Sequence, residues 1–221
     1  MIDQFRVRSI STAVLTALFL STSGVTHGSL IINGDFEAGN TGFSSAHSNA
    51  SIPGGGRYEV INDPNTSWSA ADSFGDHTSG SGLMFVADSE QLMVWQQTVN
   101  GIVNGQQYEF GHWVRKLNGL GNESVLQLEV NEGSGFVDLG SIQVSSTTAW
   151  VEFTSGYTAS ASGNFIFRIV NLTSGTFGNN FALDDISLNA VPEPSSTVLA
   201  MGLISCLSIG AYRRKLRRNR K

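Results

Sequence analysis

From residue 57 to residue 188 the chain is a succession of short runs in which apolar and polar positions alternate. These are "RYEVI", "LMFVAD", "LMVWQQTV", "QYEFGHWVRK", "VLQLEV", "FVDLGSIQV", "WVEFTSGYTA", "FIFRIV" and "FALDDISL". Between them lie "PGGG", "VNGIVNGQ", "LNGLGN" and "SGTFGNN", where Gly and Asn supply turn conformations. No long stretch shows helical periodicity and no internal repeat is visible. The pattern predicts one all-β domain over residues 29–190, an antiparallel β-sandwich of the jelly-roll type.

In "QYEFGHWVRK" a period of two assigns Tyr108, Phe110, His112 and Val114 to one face and Glu109, Gly111, Trp113 and Arg115 to the other. The first set reads as core, which makes His112 a buried, hydrogen-bonded histidine. The second sets an indole, a carboxylate and a guanidinium side by side on an outer sheet face. Two readings stand for Trp113: a ligand platform, or a ring covered by a loop. Trp95, which shares a face with Gln97 and Val99, and Trp150, which opens a strand, read as packing residues.

The two ends follow other patterns. Arg6 and Arg8 precede an apolar stretch, Ile10 to Leu20, and then the small residues of "STSGVTHGS". This predicts a signal peptide over residues 1–28, cleaved after Gly28, and export through the Sec pathway; the alternative is a buried first helix. At the other end Pro192, Glu193 and Pro194 precede 16 uncharged residues, 197–212, and a basic tail, 213–221. As a helix those 16 residues would span about 24 Å, short of the roughly 30 Å hydrocarbon core, so they predict a short transmembrane segment aided by snorkelling arginines. The basic flank stays cytoplasmic by the positive-inside tendency, which leaves the body outside.

Charge sharpens this division. Seven of the 13 Lys and Arg residues lie in the tail, and between residues 29 and 190 there are 16 acidic side chains against four basic ones, a balance of about −12. Such a body repels phosphate backbones, so nucleic acid is excluded as a partner. Cys206, the only cysteine, lies in the apolar tail segment, so the body has no disulfide.

The end "VPEPSS", a short apolar segment and "RRKLRR" together resemble the PEP-CTERM sorting signal over residues 191–221. The resemblance implies recognition by an exosortase, cleavage near Pro192-Glu193-Pro194, and a transient inner-membrane anchor before release to the cell surface or exterior of a Gram-negative bacterium. A plain C-terminal anchor is the alternative. The body resembles galactose-binding-like jelly rolls, including carbohydrate-binding modules of the family 4, 9 and 22 type. "LIINGDFEAGNTGF", "GDHTSGSGLMFVAD", "VWQQTVNGIVNGQQYEFGHWV", "TTAWVEFTSGYTASASGNFIFRIVN" and "FALDDISL" carry that likeness, with Phe43 where the family often has Trp. It implies a structural Ca²⁺ beside the paired first and last strands. Its ligands would be the Asp35 carbonyl, the Glu37 and Asp184 carboxylates, and Asp76 or a carbonyl near Thr78, a hard-oxygen set of the kind calcium takes. If the last strand alternates, Asp184 points inward with Ile186 and Leu188 and needs that cation as partner; the alternative is bonding to backbone amides alone.

Catalytic motifs are missing: there is no G-x-S-x-G elbow, no H-E-x-x-H, no phosphate loop and no singled-out acid pair. The expectation is a non-enzymatic protein that binds glycan, an extracellular polysaccharide, through Trp113 with Glu109 and Arg115 beside it and Trp68 closing over from the loop "NDPNTSWSAADSFGDH". The runner-up is a structural envelope or matrix protein without specific ligand, and a glycoside hydrolase stands third.

Overall fold

A computed structural model describes residues 28–175 and 178–192. It contains β1 (Ser48–Asn49), β2 (Arg57–Ile61), the short helix α1 (Pro64–Ser67), β3 (Met84–Asp88), β4 (Met93–Ile102), β5 (Gln107–Lys116), β6 (Ser124–Asn131), β7 (Phe136–Val144), β8 (Val151–Thr158), β9 (Gly163–Asn171) and β10 (Asn180–Ala190). Three alternating runs, those of β2, β5 and β7, coincide residue for residue with strands. The other six run to within a few residues of the strand ends. Helix α1 is a single turn opened by Asp63, whose side chain accepts the Asn65 amide, with Pro64 at its first position.

Two sheets face each other. One has the order β1-β2-β3-β10-β5-β8 and the other β4-β9-β6-β7. All pairings are antiparallel except that of β1 with β2. The fold is thus the all-β antiparallel sandwich expected of alternating strands. Between the sheets lies a core that includes Phe36, Phe85, Trp95, Phe110, Leu128, Phe167, Leu183 and Leu188. Every second residue of β6 is buried, the signature of a strand with one dry face.

The six-stranded sheet is different because its outer face is also covered. Ile52, Ala71, Met84, Val86, Leu117 and Ala182 form a second apolar cluster on that side, with Trp68, Phe74 and Trp150 packed against it. The loop between β2 and β3 thus acts as a third layer. This explains why all five residues of β3, "MFVAD", are buried: both faces of that strand are dry.

His112 is buried on the core side as its position in β5 requires, but neither ring nitrogen has a hydrogen-bond partner. The expectation of a bonded core histidine is corrected here. Its neighbours Phe110 and Phe153 are aromatic rings that present no acceptor. Burial drives its pKa down to about 3, so the ring is neutral.

Both ends of the domain are tied to β10 and β5. The Leu30 amide donates to the Leu188 carbonyl (2.9 Å) and the Ile186 amide to the Gly34 carbonyl (2.8 Å), so the segment from Ser29 to Gly34 runs beside β10. After β10 the Val191 amide donates to the Gln107 carbonyl (2.8 Å). Pro192, exposed, follows at once. The predicted signal peptide up to residue 27, Glu193, Pro194, the apolar segment and the basic tail lie outside the described residues. Among the described residues no helix is long and apolar enough to cross a membrane.

Candidate functional site

The site is built on an irregularity in β10. Its register against β5 breaks between Asp184 and Ser187, and Asp185 adopts φ +48°. This β-bulge shifts the phase of alternation by one residue. Leu183 pairs with Val114 and faces the core, Asp184 pairs with Trp113 on the outer side, and beyond the bulge Ile186 and Leu188 face the core again. Asp184 therefore does not point inward with Ile186 and Leu188; the extra residue turns it outward, beneath the loop that follows Phe74. It is 1 % exposed, and its carboxylate accepts the backbone amides of His77 (2.8 Å) and Asp185 (2.9 Å). Burial raises its pKa to about 7, with the charges of Asp185 and Asp76 adding to the rise and the two amide bonds opposing it.

The loop residues 76–83 are folded around a second carboxylate. Asp76, also buried, accepts the amides of Ser79 (2.8 Å) and Gly82 (2.7 Å) and the Ser79 hydroxyl (2.9 Å). Burial alone would raise this carboxyl, but those donors outweigh it and hold it below its ordinary range. Glu37 reaches the same loop from the N-terminal segment and accepts the Leu83 amide (2.8 Å). A Cβ on Gly82 would stand 2.0 Å from Glu37 Oε1 and 3.1 Å from Asp76 Cγ, so the two carboxylates converge on a spot that only glycine leaves free. Asp35, Glu37, Asp76 and Asp185, with Thr78 and Ser81, line an open depression of about 500 Å³.

A second depression, about 390 Å³, adjoins it and shares Asp35 and Asp185. Its wall includes Trp113, Ser29, Asn33 and Ser187. One face of the Trp113 indole is covered by the His77 ring, 3.8 Å away and tilted by only 13°. His77 is fixed in turn by its Nδ1 against Asp185 Oδ2 (2.6 Å), an oxygen that also accepts the Thr78 hydroxyl (2.5 Å). Trp150 meets the His77 ring edge-on at 6.1 Å.

The remaining residues singled out in the sequence are placed apart from this depression. The Arg115 guanidinium lies 3.8 Å over the Phe74 ring, and its Nε donates to the Thr147 carbonyl (3.0 Å). Burial lowers its pKa, while the charge of Asp72 opposes that fall. Trp68 packs into the apolar cluster under the β2–β3 loop. Glu109 is exposed farther along β5, opposite Asn189 and Gly156. The structure thus gathers Trp113 with Asp35, Glu37, Asp76 and Asp184, and does not bring Glu109, Arg115 and Trp68 to it. His77, Asp185 and Ser187 were missed. His77 has no ligand-spaced second histidine, and the bulge that positions Asp185 and Ser187 carries no glycine to announce it.

No protein-family model matches this sequence, and neither does any curated protein. Solved structures do. The TmCBM61 module, solved in complex with beta-1,4-galactotriose, superposes with a TM-score of 0.51 at 12% identity, over 75% of this chain and 100% of that one. The CBM22-1 xylan-binding domain from Paenibacillus barcinonensis Xyn10C gives 0.46 at 11% identity, over 76% and 94%. The C-terminal domain of EclA, described as a sugar-binding protein, gives 0.39 at 15% identity, over 43% of this chain and 66% of that one. At these identities the likeness is one of fold, and TmCBM61 carries it: this chain shares its jelly-roll architecture with that module.

Proposed function

We propose that this chain is an exported glycan-binding protein whose sugar site is the depression beside Trp113. The observation that carries the reading is the setting of that indole. It stands on an interior strand, between β10 and β8, is backed on one face by His77, and borders a depression rimmed by hydroxyl, amide and carboxylate groups. A pyranose presents C–H bonds on one side and hydroxyls around its rim, so an aromatic edge or face with polar neighbours suits it. The non-catalytic character follows the same reading, since binding needs no acid–base pair.

Calcium belongs to this proposal through the adjoining depression. Its donors are all hard oxygens, which suits Ca²⁺. Asp76 spends its oxygens on Ser79 and Gly82, however, and among the described residues no three His, Cys, Asp or Glu side chains are arranged around one metal position. Binding would therefore draw on the Asp35 carbonyl, Glu37 and Asp184 after Asp76 or Glu37 exchanges an amide for the ion. The ion would supply charge compensation to Asp184 and fix the loop that holds His77 on Trp113.

One experiment tests both parts. In affinity electrophoresis against the producer's own exopolysaccharide, Trp113→Ala should lose at least tenfold in affinity, about 1.4 kcal/mol. Calcium at a hundredfold excess over Kd should add about 2.7 kcal/mol of stability, removed by chelator. At one fixed calcium concentration the gain should be larger at pH 8 than at pH 6, because a carboxyl whose pKa is raised by folding costs stability increasingly as pH climbs from its unfolded value through about 7. Wild-type protein that is not retarded would favour the structural matrix reading, and a chelator-insensitive melt would remove calcium.

Export and sorting complete the proposal: Sec-dependent secretion, a transient inner-membrane stage, exosortase cleavage near Pro192-Glu193-Pro194, and delivery to the surface or exterior of a Gram-negative bacterium. Among the described residues the last backbone bond is made by Val191, and exposed Pro192 follows it, which supports a processing site at that point. Mass spectrometry of the surface protein should find no peptide from Arg213 to Lys221. Recovery of that peptide on the surface protein would overturn the sorting reading.

A further inference from the structure

We infer that the Trp113 depression selects glycans bearing free amino groups, hexosamine residues with an exposed ammonium, over neutral and uronate-bearing ones. The inference rests on the reading of that depression as the sugar site and goes one step further, to the class of sugar.

Its basis is the sign of every charge around the indole. The depression holds two carboxylates, Asp35 and Asp185, and its neighbour adds Glu37 and Asp76. Among the described residues no lysine or arginine lines either one. The closest guanidinium along β5, that of Arg115, is turned onto Phe74 and bonded to the Thr147 carbonyl. Among the described residues His77 is the sole basic ring against Trp113, and its Nδ1 is spent on Asp185 Oδ2. Asp185 takes both the His77 and Thr78 bonds on that one oxygen, and no donor is bonded to its other oxygen among the described residues. Asp35 is exposed and accepts only a long 3.4 Å bond from the Glu37 amide. Two acceptors thus remain beside an aromatic ring.

A protonated amine on a pyranose matches this arrangement in two ways. Its three donors meet carboxylate oxygens in charge-assisted bonds, and its charge is attracted by the π-face of an indole. A uronate puts a negative charge into the same field and is repelled. An N-acetylated hexosamine has the same ring and neither charge, so it isolates the ammonium's contribution.

The full-length protein in mild detergent, at pH 7, about 150 mM salt and with chelator present, would be titrated calorimetrically with three probes. These are β-1,4-linked glucosamine oligosaccharide, its fully N-acetylated counterpart and oligogalacturonate. The glucosamine oligomer should bind at least tenfold tighter than the acetylated one, with oligogalacturonate weakest. Asp35→Asn should close most of that gap, and Trp113→Ala should weaken all binding. A gap that Asp35→Asn leaves intact would assign the preference to the acidic surface at large and overturn the inference. Equal binding of the amino and acetylated forms would overturn it too, while leaving the sugar site in place. Failure of all three probes together with the exopolysaccharide, or binding indifferent to Trp113→Ala, would overturn the sugar site itself.

Discussion

Gly34→Ala should lower the melting temperature by about 6–12 °C, the equivalent of roughly 3 kcal/mol in a domain of this size. The reason is a contact with backbone, which cannot swing aside. A Cβ at residue 34 would lie 1.9 Å from the Ile186 carbonyl oxygen and 2.9 Å from its carbon. To relieve that overlap the N-terminal segment has to move off β10, breaking the Leu30–Leu188 and Gly34–Ile186 bonds together with the one from the Leu188 amide to the Ser29 hydroxyl. Asp35 and Glu37 ride on the same segment, so glycan binding and any calcium response should weaken together with stability. Gly119→Ala is the control: nothing lies within 4 Å of a Cβ there, and the melt should shift by less than about 2 °C. Equal melts for the two variants would refute the account of the N-terminal seam.

The second large effect concerns acid. His112 titrates near 6.5 when the chain is unfolded and at about 3 when it is folded. Between those values the unfolded chain binds a proton that the native state refuses, so stability falls as pH falls, by up to roughly 5 kcal/mol over the whole window. His112→Leu keeps nearly the same volume and removes two unbonded buried nitrogens. It should raise stability at neutral pH by about 1–3 kcal/mol, and its advantage over wild type should grow as pH falls from 6.5 to 4. Asp184, whose carboxyl is raised to about 7, acts in the opposite direction over the same interval, and Glu132 begins to lose its contribution near the acid end; both are common to wild type and variant, so His112 is read from the difference between their two melts. A variant whose acid limb parallels wild type would show that His112 finds a partner in solution.

The strands were legible because their cause is local. In "QYEFGHWVRK" or "FVDLGSIQV" each residue declares its face, and the Gly and Asn between runs mark the turns. What sequence could not supply came from contacts between distant segments. The bulge in β10 rests on Asp185 at positive φ in "LDDI", where no glycine marks the break although aspartate tolerates that conformation, and it moved Asp184 to the opposite face from the one alternation predicts. The covering of the outer sheet face was equally hidden. Trp68, Ala71 and Phe74 follow neither a period of two nor one of 3.6, so the loop reads as polar connection although it roofs a second apolar cluster. Trp113 is identifiable as an outer-face aromatic from its strand alone; that His77 would stack on it depends on how that roof is seated.

The position of β10 also governs when the domain can form. It lies between β3 and β5, and supplies the edge along which the segment from Ser29 to Gly34 runs. Among the described strands it is the last to leave the ribosome. Until it arrives, β3 and β5 have no common neighbour, the six-stranded sheet is two fragments, and the N-terminal segment has nothing to lie against. Long-range pairing of this kind delays folding to the end of chain delivery. In a chain that emerges N-terminus first, the six-stranded sheet therefore closes only once Ala190 is free, although every strand of the other sheet is already present. Closure of the larger sheet thus waits on the final eleven-residue strand.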